Sequence, residues 1–283
     1  MITANAQGPS SSERRRGLLY GLLVGDALGA WSDDGAQALG LLWAALESPG
    51  EVHEHFAGAL LDWYHRGAWT PDGKVFDIGN TTVRAIQNLD AGSSARSSGP
   101  DHERSLGNGS LMRVAPLALV LEGDALRAAA ELQSRVTHGH PVARVACAVY
   151  ATWCRELLGG AEPGDGWNRA WDATAAWARR EDSGDGERAA ALARIGDELG
   201  SSEVRGTGYV LHSLGAARHL LSSRTSYESI VRGAIALGDD TDTTAAIAGA
   251  AAGARWGEAT LPPRWVEALR GRATVEQLLA RAS

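Results

Sequence analysis

The chain is poor in cysteine and lysine and has no long hydrophobic run. Two cysteines in 283 residues exclude a disulfide framework. Lys74 is its one lysine, and the net charge is −7 at pH 7, so a basic surface that follows a nucleic-acid backbone is not expected. The longest weakly apolar stretch, residues 245–254, is too short to cross a bilayer, and the N-terminus lacks the apolar core of a signal peptide. We therefore expect a cytoplasmic protein with no membrane partner, and nucleic acid as a partner only if it carries a modification that is the substrate.

The residues that are present favour a globular helical protein. An apolar fraction of 44% and a charged fraction of 22% are ordinary for a folded domain. The abundance of Ala, Gly and Arg is typical of a high-GC bacterial genome. Apolar residues recur at helical spacing along the chain, whereas alternating strand patterns are missing. The pattern predicts an all-α fold of ten or more helices. We predict that the chain consists of a flexible tail over residues 1–12 and one domain over residues 13–283. Loops are predicted at Asp90–Arg104 and Glu181–Arg188.

Two acidic clusters each precede a predicted helix. Ser32-Asp33-Asp34-Gly35 comes before the helical run 36–47, and Asp239-Asp240-Thr241-Asp242-Thr243-Thr244 comes before the run 245–255. One Ser or Asp at such a position is explained by helix capping. The surplus carboxylates repel one another, and a bound cation would remove that repulsion. Oxygen ligands without His or Cys favour Mg²⁺, Mn²⁺ or Ca²⁺ over zinc. Capping and metal binding both remain open from the residues alone.

Glycine-rich segments lie between the two acidic clusters. Gly107-Asn108-Gly109-Ser110 precedes the apolar run 111–122, for which we predict a helix. Backbone N–H groups at such a helix start can bind a phosphate, although a simple turn with an N-cap explains the same pattern. Asp77-Ile78-Gly79-Asn80-Thr81-Thr82 opens another predicted helix in the same way. His138 follows Thr137 near a predicted helix end, and a lone histidine there is more often structural than catalytic.

The motifs taken in order resemble those of the ADP-ribosylglycohydrolase family, which includes the dinitrogenase reductase-activating glycohydrolases. The resemblance extends from about Gly17 to about Gly257. The ordered motifs are Gly25-Asp26-Ala27-Leu28-Gly29, Trp31-Ser32-Asp33-Asp34-Gly35, Asp77-Ile78-Gly79-Asn80-Thr81-Thr82, Asn108-Gly109-Ser110-Leu111-Met112-Arg113, Thr137-His138, Gly208-Tyr209-Val210 and Gly238-Asp239-Asp240-Thr241-Asp242-Thr243.

This resemblance implies a single compact orthogonal helical domain with two Mg²⁺ or Mn²⁺ ions in a cleft. It implies a hydrolase that removes ADP-ribose from a modified protein side chain or another acceptor. The implied metal ligands are Ser32, Asp33, Asp34, Asp240, Asp242 and Thr243, and the implied catalytic residues are Asp33, Asp34 and Asp242. The implied substrate-binding residues are Asp77 and Asn80 at the ribose, Gly107, Asn108, Gly109 and Ser110 at the diphosphate and ribose, and His138 and Tyr209 at the phosphate or adenine end. Asp26 is expected to support the fold.

The chain departs from the family between its first two motifs. A longer segment separates these motifs in the family, and in several members it carries a glutamate close to the metals. Here only Ala30 and Trp31 lie between Gly29 and Ser32. Either the chain lacks the segment, which leaves an open cleft and an ADP-ribose-binding protein without turnover, or a flexible stretch belongs there. Two helical patterns that meet across two residues favour the second explanation. A third hypothesis, a fold kept for stability alone, fits poorly with so many clustered carboxylates.

Overall fold

The computed structural model describes residues 8–27, 29–180, 186–201 and 203–282. These residues form thirteen α-helices and three short 3₁₀-helices, and they contain no β-strand, so the predicted all-α fold is confirmed. The α-helices are α1 (Ser11–Asp26), α2 (Asp33–Glu47), α3 (Val52–Arg66), α4 (Asn80–Asp90), α5 (Gly123–Arg135), α6 (Pro141–Leu158), α7 (Pro163–Arg180), α8 (Glu187–Ser201), α9 (Val210–Ser223), α10 (Tyr227–Ala236), α11 (Thr241–Trp256), α12 (Pro263–Ala268) and α13 (Arg272–Ala282).

One cluster of buried apolar side chains has members from all thirteen of these α-helices, which fits the predicted single domain. Of the predicted tail, residues 1–7 lie outside the described residues. Helix α1 already begins at Ser11, where Ser10 and Glu13 form a reciprocal capping box, so ordered structure starts within that predicted tail. Residues 181–185 of the second predicted loop also lie outside the described residues. Within the described ranges, no helix combines the length and apolar character needed to cross a membrane.

The prediction of an α-helix over residues 111–122 is wrong. This segment consists of turns and a 3₁₀-helix at Ala115–Leu119. Its backbone bonds span three residues, as from Leu117 N–H to the Val114 carbonyl at 3.1 Å. Pro116 cannot donate a backbone hydrogen bond, and the preceding loop is held to another part of the chain. The glycine-rich segment before it is therefore not the N-terminus of an α-helix.

Helices α1 and α11 pack through their backbones along a seam of small residues. Gly17, Gly21 and Gly25 on α1 face Gly253, Gly249 and Ala245 on α11, so the two helices run antiparallel. A Cβ at Gly253 would overlap the Gly17 carbonyl oxygen, and one at Gly21 would overlap the Gly249 carbonyl oxygen. No larger side chain fits between the two helices. Because they are antiparallel, the C-terminus of α1 at Asp26 lies beside the N-terminus of α11 at Thr241.

The described residues of the short connection between α1 and α2 are held by contacts to other parts of the chain. Trp31 is buried and its indole N–H donates to the Trp69 carbonyl at 2.9 Å. The Gly29 carbonyl accepts from the Arg270 backbone N–H, also at 2.9 Å. These contacts join α1 to α2 without an intervening segment.

Candidate active site

The two acidic clusters meet where α1, α2 and α11 come together. Ser32 is the N-cap of α2, and its hydroxyl accepts a hydrogen bond from the Asp34 backbone N–H at 3.3 Å. Asp240 occupies the N-cap position of α11. The Thr243 hydroxyl donates to Asp34 Oδ2 at 3.3 Å, which joins the second cluster directly to the first. Both clusters therefore begin helices, as predicted, and they share one site.

Three aspartates at this junction can hold a metal ion. Asp26, Asp34 and Asp242 each offer a carboxylate oxygen, and these atoms all lie within 4.8 Å of one another. Asp34 Oδ1 is buried and has no hydrogen-bond partner among the described residues. A buried acceptor without a partner is costly, and a cation is the partner that a group of carboxylates fits best. The site therefore suits a hard divalent ion.

Asp26 has two functions in this structure. Its Oδ2 accepts the backbone N–H groups of Ser32 and Gly35, both at 2.9 Å, and so holds the start of α2 as expected from the sequence. Its carboxylate also belongs to the aspartate group that can hold a metal, which the implied ligand set did not include. This proximity could not be predicted from the residues, because it depends on the antiparallel packing of α1 on α11.

Burial and mutual repulsion raise the pKa values of this group. Burial raises the pKa of Asp26 to about 7. Burial, followed by the charges of neighbouring aspartates, raises the pKa values of Asp33 and Asp34 well above the ordinary range. The same causes raise the pKa of Asp77, and burial raises that of Asp240 despite hydrogen bonds from Asn108 and Thr243. A bound cation would reverse this by stabilising the ionised forms.

An open cleft of about 280 Å³ lies over the aspartates. Asn108 links it to the second cluster, because its side-chain amide donates to Asp240 Oδ2 at 2.8 Å and to the Ser213 hydroxyl at 2.9 Å. The loop at Gly107 is held by an antiparallel bridge to Tyr209. The predicted site residues that line the cleft are Asp33, Asp77, Asn80, Gly107, Asn108, Gly109, His138, Asp240 and Thr243.

Two predicted substrate-binding residues lie beside the cleft rather than in its lining. Ser110 is fully buried, and its hydroxyl accepts a hydrogen bond from the Ser134 hydroxyl at 2.8 Å. The Tyr209 hydroxyl donates to Glu198 Oε2 at 2.8 Å, away from the aspartates. Both residues support the cleft: Ser110 follows its glycine loop, and Tyr209 pairs with that loop through its backbone.

A buried polar network behind the cleft was not predicted from the sequence. Arg113 is fully buried and donates to Gln37 Oε1 at 2.7 Å and to Gln133 Oε1 at 2.8 Å. Gln37 in turn donates to Asp33 Oδ2 at 3.3 Å. Gln37 lies one helical turn after Asp33, and side chains at this spacing can contact each other. This spacing was the only sequence signal for the hydrogen bond between them. The network fixes Asp33 from its buried side.

The structure is an all-α domain. Its helix termini bring oxygen ligands together at a glycine-lined cleft, as the ordered motifs implied. The comparison with family models agrees: the model described as ADP-ribosylglycohydrolase matches residues 7–283. This chain belongs to the ADP-ribosylglycohydrolase family. It is an enzyme of the glycohydrolase type, as the resemblance implied.

Characterised relatives point the same way. The chain is 28% identical to an ADP-ribosylarginine hydrolase Tri1 of Pseudomonas putida over 94% of this chain and 76% of that protein. It is 27% identical to the ADP-ribosyl-[dinitrogen reductase] glycohydrolase of Rhodospirillum rubrum over 93% and 92% of the two chains. A solved structure described as an ADP-ribosylglycohydrolase-related protein complex matches with a TM-score of 0.75 and 28% identity, over 96% of this chain and 97% of that one.

The alignment with the Pseudomonas relative is longer than the part of this chain that it covers. It runs over 299 positions, although it covers only 94% of this 283-residue chain. That relative therefore carries residues within the aligned span that this chain lacks. Among the described residues, no glutamate lines the cleft.

Proposed function

We propose that this chain hydrolyses the glycosidic bond between ADP-ribose and a protein side chain, with arginine as the first acceptor to test. The observation that carries the proposal is the meeting of both acidic clusters at the floor of one cleft, with the Thr243 hydroxyl 3.3 Å from Asp34 Oδ2. The choice of arginine is supported by the relatives, two of which are ADP-ribosylarginine hydrolases.

Two Mg²⁺ or Mn²⁺ ions complete the proposed site. Ser32, Asp33, Asp34, Asp240, Asp242 and Thr243 would hold them, together with Asp26. Bound there, such ions orient the ribose hydroxyls and make a water molecule more acidic. The unpartnered Oδ1 of Asp34 and the carboxylates within 4.8 Å of one another support this assignment.

The protein's own groups position the ribose and move the proton. Cleavage at the anomeric carbon develops oxocarbenium character, which the surrounding carboxylates stabilise by their negative charge. Asp33 lines the cleft and is fixed from behind by Gln37, so its carboxylate accepts the proton of the attacking water. Asp77 and Asn80 line the cleft at and just before the start of α4, where they would position the ribose. The glycine loop at Gly107 leaves its backbone accessible to the diphosphate.

The test is release of ADP-ribose from a panel of modified substrates. Peptides with ADP-ribosylarginine or ADP-ribosylserine, an ADP-ribosylated oligonucleotide and a free ADP-ribose derivative would be incubated with Mg²⁺, with Mn²⁺ or with chelator. We expect metal-dependent release from the arginine peptide, abolished in Asp33→Ala and Asp242→Ala. Asp62→Ala, which removes an exposed aspartate of α3, is the matched control and should leave release unchanged.

Calorimetry distinguishes the ways in which this proposal can fail. Release from another substrate but not from the arginine peptide would refute arginine as the acceptor, whereas the proposed hydrolysis would remain supported. Binding of ADP-ribose without release from any substrate would overturn the hydrolysis and leave a binding protein. Full activity in chelator would refute the proposed requirement for metal ions.

A further inference from the structure

His138 contacts the glycine loop from the side of α5. Its imidazole lies 3.3 Å, measured at Nε2, from where a Cβ would stand at Gly107 and also at Gly109. Glycine at both positions leaves room for the ring. His138 also lines the cleft. Among the described residues, no hydrogen bond to its Nε2 is found, so that atom is free to meet a ligand.

The other ring nitrogen of His138 is held by a chain of hydrogen bonds that begins at Arg113. The guanidinium Nη2 of Arg113 donates to the Thr137 hydroxyl oxygen at 2.7 Å. The same hydroxyl oxygen lies 2.8 Å from His138 Nδ1. All three residues are buried, with at most 2% of their surface exposed.

The chemistry of these groups fixes the direction of each bond. A guanidinium carries only donors, so the Thr137 oxygen must accept from Arg113. The single hydroxyl hydrogen of Thr137 is then available for His138 Nδ1, which accepts it. The opposite tautomer would direct two donors at the Thr137 oxygen and leave the buried hydroxyl hydrogen without a partner in the described structure.

We propose that Arg113 and Thr137 hold His138 in the tautomer that carries its proton on Nε2, which directs a donor towards the phosphate that the family resemblance implies beside His138. Arg113 and Thr137 are positioning residues in this arrangement, and His138 is the residue that touches the ligand. The identity of the ligand as ADP-ribose rests on the proposed function, whereas the tautomer of the free protein does not.

The neutral state of His138 matters for this function. Burial, assisted by the charge of Arg113, lowers the pKa of His138 to about 3, so the ring is uncharged at neutral pH. An uncharged ring has one donor and one acceptor, and a wrong tautomer would present a lone pair to the anion. The hydrogen-bond chain prevents that arrangement by using the lone pair of Nδ1 internally.

Nitrogen-15 NMR of the ligand-free protein tests the tautomer. The chain contains eight histidines, so His138→Gln would assign the His138 signals. We expect Nε2 protonated and Nδ1 unprotonated throughout pH 6–8. Thr137→Ser keeps the hydroxyl and should keep this tautomer. Thr137→Val removes the hydroxyl at nearly constant shape and should yield a mixture of tautomers. A proton on Nδ1 in the unmodified protein, or an unchanged tautomer in Thr137→Val, would overturn the proposal.

Calorimetric titration with ADP-ribose tests the consequence for binding. Thr137→Val should bind about twofold more weakly, because an even mixture of tautomers leaves half of the molecules able to donate from Nε2, and Thr137→Ser should bind as the unmodified protein does. Equal affinity of Thr137→Val and the unmodified protein would overturn the contact with the anion. If the unmodified protein shows the expected tautomer but does not bind ADP-ribose, the proposed function fails and the internal hydrogen-bond chain stands.

Discussion

Replacing Asp26 by asparagine should stabilise the protein in the absence of metal, although it alters a buried polar residue. The asparagine oxygen can accept from the Ser32 and Gly35 backbone N–H groups, as Asp26 Oδ2 does at 2.9 Å. Its amide would point at the other aspartates and donate to them. The substitution therefore keeps the support of α2 and removes one negative charge from the cluster.

The magnitude follows from the pKa of Asp26, which is about 7 in the fold against an ordinary value of 3.8. A carboxyl whose pKa is raised on folding is disfavoured in the folded state as pH rises between the two values. The cost of retaining this carboxyl is ~4 kcal/mol at pH 8 and ~2 kcal/mol at pH 5. Asp26→Asn should raise the free energy of unfolding by up to these amounts, with the larger gain at pH 8.

The assay is urea denaturation of both proteins in chelator at pH 5, 6.5 and 8. Histidine titration is common to the two proteins and cancels in their difference. Saturating Mg²⁺ should then reverse the order, because the unmodified protein gains ~2.7 kcal/mol at a hundredfold excess over its dissociation constant and the variant gains less. Lower stability of the variant at pH 8 in chelator, or a difference independent of pH, would refute the argument that Asp26 is held at an electrostatic cost.

Four further substitutions test other parts of the fold by thermal or urea denaturation. Gly253→Ala should lower the free energy of unfolding by about 3 kcal/mol, since its Cβ would overlap the backbone of α1. A Cβ at Gly58 meets nothing within 4 Å, so Gly58→Ala should raise the free energy of unfolding by about 0.5 kcal/mol. Equal effects of the two substitutions would refute the close packing. Glu131→Gln should cost about 3 kcal/mol because it removes the buried carboxylate that Arg144 and Arg188 share, and a cost under 1 kcal/mol would contradict this. The pKa of Glu276 is lowered to about 2 by Arg16, so its contribution is present above pH 4.5 and disappears as pH falls towards 2; Glu276→Gln should be less stable at pH 6 and equal at pH 2, and a gap that persists at pH 2 would argue against the ion pair.

The positions of both acidic clusters were predictable, because a residue's place at a helix N-terminus depends on its neighbours in sequence. Ser32 and Asp240 indeed occupy N-cap positions. The helical content was predictable for the same reason, since apolar spacing is local. The 3₁₀ segment at Ala115–Leu119 was missed because tertiary contacts of the loop before it override an apolar pattern that suits a helix.

Contacts between distant segments were not predictable from the residues alone. The sequence placed Ser110 with the substrate-binding loop, but could not show that its hydroxyl pairs with Ser134 on α5. Asp26 appeared structural until the packing of α1 on α11 brought it beside Asp242. The network of Gln37 and Arg113 depends on side-chain directions that no spacing rule determines.

The glycine seam between α1 and α11 determines how far apart the aspartates on these two helices lie, although the glycines themselves have no reactive group. Gly17 lies nine residues before Asp26, which is about 13 Å along the helix axis. Any side chain there would force α1 and α11 apart, and these helices carry Asp26 and Asp242. The separation of two carboxylates is thus set by the width of a backbone contact more than a helical turn away. A random search for variants that lose metal affinity should recover such glycines alongside the aspartates, although no glycine there contacts a ligand.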